Sequence, residues 1–132
     1  MAVELTWDDA GRTRLLMTFD TLWTWAEVRR AVRRGAVMLN DGGTHRVDVI
    51  LDGSQTVTLM KSDTHTQTRQ ILARVREHPR VGRILVVGSS GITNSFLMVF
   101  LKLSANRFSE SYTFFATVDN ARQHLIDNPA AE

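Results

Sequence analysis

Cysteine is absent from the 132 residues. That excludes a disulfide framework, a thiolate zinc site and a cysteine nucleophile, and it fits a reducing compartment. Long apolar runs are also missing. The longest, FLMVFL over Phe96–Leu101, is far too short to span a bilayer. The opening MAVELTWDDAGR carries Glu4, Asp8 and Asp9 in place of a basic start and an apolar core, so it does not read as a signal peptide. A cytoplasmic protein without a transmembrane segment is expected. Charge of one sign is not in large excess either. The net charge is only +2, which does not argue for a nucleic-acid partner. Repeats, linkers and low-complexity segments are lacking, and 1–132 is expected to form one domain. What is present is ordinary for a globular chain: 43% apolar and 23% charged residues.

Patterning along the chain predicts an α/β fold. VELTW alternates, DDAG turns, and RTRLLMTFD alternates again, so residues 2–20 read as a hairpin. A capping box follows, with Thr24 three residues before Glu27 and Trp23 and Val28 placed as a hydrophobic staple. Trp25, Val28, Val32, Ala36 and Leu39 recur on one helical face, and the glycines of NDGG end the helix. RVDVILD (46–52) is a buried strand by its β-branched content. A second helix is expected from Thr64 to Glu77, with Ile71, Leu72 and Val75 inward and His78-Pro79 closing it. VGRILVVG is the next strand, SSGITN a turn, SFLMVFLKLSANR a very apolar helix and YTFFATV a strand. A last helix is expected with Asp119 as its N-cap and Asn128-Pro129 as its stop. The order is β-β-α-β-α-β-α-β-α. It predicts a mixed, mostly parallel five-stranded sheet with about four helices and the first strand as an antiparallel edge.

These segments together resemble the STAS domain, the anti-anti-sigma-factor-like family. RLLMTFDTLWTWAEVRRAV is similar to that family's second strand and first helix, and VDVILDGS to its following strand. RILVVGSSG and FFATVDNARQHL resemble the later strand–turn and strand–helix units. The resemblance covers nearly the whole chain. It implies a non-catalytic regulatory or protein-interaction module. The family carries an Asp-Ser-Ser/Thr-Gly signature at the start of its second helix, whose first serine a partner kinase phosphorylates. Counting on from Leu51-Asp52 places that signature at Met60-Lys61-Ser62-Asp63, where Met60 and Asp63 replace its aspartate and glycine. Ser62 and Thr64 are the nearest hydroxyls, and the expectation is that neither keeps the switch.

Several residues are candidates on chemical grounds. Ser62 and Thr64 lie at an expected helix N-terminus, where amides and the helix dipole favour an anion, although plain capping uses the same residues. GSSGITNS brings Ser89, Ser90 and Thr93 to a strand–helix turn, and Asp20, Asp52 and Ser54 are expected at the same carboxyl edge. That edge is the alternative site, for a small anionic ligand such as a nucleotide, phosphate or lipid head group. The turn has neither the P-loop lysine nor a dinucleotide-binding spacing. Asp48 interrupts an apolar strand and needs a partner, an arginine among the choices. His45, His65, His78 and His124 are scattered, so no metal site is expected. No cofactor and no catalytic constellation are expected either. Arg29, Arg30, Arg33 and Arg34 share the side of helix 1 opposite its apolar stripe, a solvated face or a contact surface. The helix bearing Phe96, Met98, Val99, Phe100 and Leu103 is apolar almost all round, which predicts an interface and, with it, a homodimer.

Overall fold

The computed structural model describes residues 2–41, 43–54, 70–71, 73–75, 77–88 and 112–128. It is an α/β structure. Strands β1 (Val3–Trp7) and β2 (Arg14–Phe19) form the expected hairpin. Helix α1 spans Trp25–Asn40, and β3 spans Val47–Asp52. Residues 70–71, 73–75 and 77 are helical and form α2. Strands β4 (Val81–Val87) and β5 (Tyr112–Phe115) lead to the last helix, α3 (Val118–Asp127). The strands lie in chain order, β1-β2-β3-β4-β5. β1 pairs antiparallel with β2, and every other pairing is parallel. Residues 89–111, which include the expected apolar helix, lie outside the described residues, as does Leu72.

Alternation in the strands divides the side chains between two faces. On the first face Val3, Leu5, Leu15, Met17, Val47 and Val49 meet Val28, Ala31 and Leu39 of α1 and Ile71 of α2. On the second, Ile50, Leu85 and Val87 meet Ala121 and Leu125 of α3, with Leu16, Phe115 and Val118 alongside. Ile50, on the central strand, is fully buried, and each such side chain contributes roughly 1.5–3 kcal/mol. Helices α1 and α2 share a face, as parallel crossovers of one hand require when a sheet grows in one direction.

Local chemistry accounts for most element ends. The capping box forms: Glu27 N donates to Thr24 Oγ1 at 3.2 Å, and Thr24 N donates to Glu27 Oε1 at 3.1 Å. The buried stripe of α1 is Val28, Ala31, Gly35 and Leu39, with Val32 half-buried against the core. Gly35 belongs to it because a Cβ there would stand 2.9 Å from Leu5 Cδ2; its bare backbone lets α1 approach β1. The N-cap of α3 corrects the expectation. Thr117, not Asp119, holds that position and accepts from Asn120 N at 3.1 Å. Two good capping residues stand two apart, and the upstream one has the extended backbone a cap needs. Asp119 sits instead in the first turn and pairs with Arg122. In β4 the register slips by one residue: Val47 faces Val81, but Val49 faces Ile84.

Candidate functional site

The carboxyl edge of the parallel strands is built by register. Thr18 lies opposite Asp52, Asp52 opposite Val87, and Val87 opposite Phe115. Just beyond this row come Asp20, Ser54 and Gly88. Asp20 N donates to Ala2 O at 2.7 Å, Gly53 N to Val87 O at 2.8 Å, and Gly88 N to Phe115 O at 3.2 Å. The structure therefore brings Asp20, Asp52 and Ser54 to one edge, as expected. Ser89, Ser90 and Thr93 lie outside the described residues, as do Ser62 and Thr64.

The chemistry of that edge is acidic. The edge carries Asp20 and Asp52, with Glu4 opposite Thr18 in the register and Glu27 in the first turn of α1. Asp52 Oδ1 accepts from Ser54 N at 3.0 Å, and Asp20 Oδ1 from Thr21 N at 2.7 Å. Neither Asp20 nor Ser54 is unpartnered. Helix α1 starts beside this edge, but the Thr24–Glu27 box already takes up the Glu27 amide, and Glu27 puts a carboxylate where an anion would sit. Phe19, Trp23 and Trp25 stack edge to face next to it, with centroids 5.3 Å and 4.8 Å apart. Both tryptophans pack against the first core.

On the second face lies a charged cluster with no local sequence signal. Asp8, whose side chain is 3% exposed, takes Arg122 in a two-pronged grip, with Nε at 3.1 Å and Nη2 at 2.7 Å. Arg14 Nε stands 3.3 Å from the same carboxylate. Hydrogen bonding to Asp8 raises the pKa of Arg122, against the opposing effect of burial. Asp48 finds the arginine partner that was one of its choices. It accepts from Arg83 N at 2.7 Å and from Arg83 Nη2 at 3.0 Å. Arg83 Nη1 also donates to Asn128 O. Both clusters clip α3 to the sheet.

The neighbouring turn is a structural device too. Asp9 accepts from Thr13 N at 2.8 Å and Arg14 N at 3.0 Å, and from the Thr13 hydroxyl. Burial pushes the Asp9 pKa up, but these bonds outweigh it, and the net shift is downward. At the opposite edge, buried Arg80 donates to Leu39 O and, at 2.8 Å, to His45 O. A cation thus caps the C-terminal end of α1, where the helix dipole favours one. His78 pairs with Asn40 at 2.9 Å. Among the described residues no group of three or more histidines and carboxylates is placed to hold a metal ion, and no helix is long and apolar enough to cross a membrane.

Arg29, Arg30, Arg33 and Arg34 are all exposed on α1, as the helical spacing requires. Phe96, Met98, Val99, Phe100 and Leu103 lie outside the described residues. The chain matches no family model, no curated protein and no solved structure.

Proposed function

We propose that the chain is a non-catalytic regulatory or protein-interaction module of STAS-like type, working in the cytoplasm. One observation carries this reading. The half-buried and buried carboxylates of the described sheet and its turns are committed to structural bonds: Asp8 to Arg14 and Arg122, Asp9 to Thr13, Asp48 to Arg83, Asp52 to Ser54. The hydroxyl among these partners, that of Thr13 on Asp9, closes the exposed turn between β1 and β2. The antiparallel edge strand and the strand–helix alternation support the STAS-like part. The apolar run bearing Phe96, Met98, Val99, Phe100 and Leu103 is the proposed self-association segment, making the module a homodimer.

Two measurements test this against the anionic-ligand alternative. Light scattering at micromolar concentration is expected to give twice the chain mass. A thermal-shift panel of nucleotides and inorganic phosphate is expected to be flat, because a ligand that binds the folded state raises the melting temperature by mass action. A monomer whose melting temperature rises with phosphate overturns the interaction reading.

A further inference from the structure

We infer that the outer face of α1 is a docking surface for an acidic helical segment of a partner protein, an assignment that rests on the interaction reading above. The face is Arg30, Arg33, Arg34 and Val37, a continuous strip over two turns at steps of three and four. All four side chains are exposed, and Val37 keeps 67% of its surface open. Among the described residues no carboxylate pairs with Arg30, Arg33 or Arg34. The acidic residue of the helix, Glu27, is engaged in the capping box.

Among the described residues nothing inside the fold is gained by this arrangement. Arg30 and Arg34 are four residues apart and Arg30 and Arg33 three, so the cations repel. They sit mid-helix, while the last turn, where the dipole would reward a cation, has none of its own. That end is served from outside by Arg80. A local rule broken without a compensating gain within the fold marks a surface shaped for something else.

The chemistry selects the occupant. Guanidinium forks match carboxylates two-pronged, and rows of arginines one turn apart match carboxylates at the same spacing on a facing helix. Val37 offers an apolar contact at the end of the strip. A bilayer fits poorly, because the apolar side of α1 is buried on the sheet and cannot enter the interface. A long polyanion fits poorly too. The net charge is only +2, so the positive patch is local rather than part of an extended positive field.

The test titrates the full chain with a synthetic helical peptide of about 20 residues carrying glutamates at i, i+4 spacing, at about 50 mM salt. The comparison is between Arg30→Gln/Arg33→Gln/Arg34→Gln and a charge-matched control, Arg12→Gln/Arg46→Gln/Arg74→Gln, whose three arginines are exposed elsewhere. Circular dichroism confirms that each variant is folded. The α1 variant is expected to lose affinity by about tenfold or more, and the control by less than about twofold. Equal losses overturn the assignment, as does a wild-type chain that ignores the peptide. Tighter binding through the same arginines to anionic vesicles or to single-stranded DNA overturns it as well. A chain that still dimerises while failing these arms loses the α1 surface but keeps the interaction reading.

Discussion

The two faces of the sheet are held by different forces. Against α1 the contact along the helix is apolar side chain on apolar side chain, drawn from three strands, with Arg80 and His78 tying only its last turn. Against α3 the apolar contribution of the described residues is smaller, and two ion-paired clips complete it. Arg122 reaches Asp8 across 114 residues of sequence, and Arg83 ties Asp48 to the carbonyl of Asn128. Burial commits α1 fully and leaves its outer face to do something else. Charge pairing holds α3 by two clips, each of which one substitution removes.

The largest contrast lies in the two cores. Leu15→Ala opens a cavity between β2 and α1, while Leu125→Ala thins the underside of a helix that can settle inward. Both fall within about 2–5 kcal/mol, with Leu15 at the upper end and Leu125 at the lower. Urea unfolding measures both, and equal losses erase the distinction. Next comes the clip. Asp8→Asn removes the charge that Arg14 and Arg122 share and is expected to cost about 1–3 kcal/mol. Faster hydrogen exchange is expected in α3 before it appears in α1. Uniform acceleration through both helices contradicts the clip.

A pH dependence follows from Asp9. Its folded pKa lies below the usual 3.8, so its stabilisation is present above that value. It is lost as the pH falls through the folded pKa, because the unfolded chain takes up the proton first. Asp9→Asn is expected to be less stable at neutral pH and to show a shallower loss in acid. An unchanged acid slope contradicts the role given to its Thr13 and Arg14 bonds. The smallest effect has the opposite sign. Arg30→Gln/Arg33→Gln/Arg34→Gln relieves like-charge pairs worth roughly 0.2–0.5 kcal/mol each, so it is expected to stabilise slightly at low salt. A loss of stability means those arginines are paired within the fold.

Local signals were legible in the sequence. The Thr24–Glu27 box, the alternation of the hairpin and the β-branched strand ending at Asp52 each encode their conformation within a few residues. The last helix shows the limit, since Thr117 and Asp119 are both good caps and only backbone geometry chooses between them. Gly35 escaped the apolar stripe because a glycine carries no hydropathy signal, although the close approach to Leu5 buries it. The Asp8–Arg122 clip and the Arg80 cap were illegible because their partners are distant in sequence. At the carboxyl edge, register placed Asp20, Asp52 and Ser54 together as the pattern predicted. The acidity of that edge became evident only once the register set Glu4 opposite Thr18 and the fold brought Glu27 beside them.

The contact surface itself is tested most directly by hydrogen–deuterium exchange of the full chain with and without the glutamate-rich peptide. Protection confined to α1, centred on Arg30–Val37, is the predicted result. Protection at the carboxyl edge, over Asp20 and Asp52–Ser54, with α1 unchanged, would contradict the account.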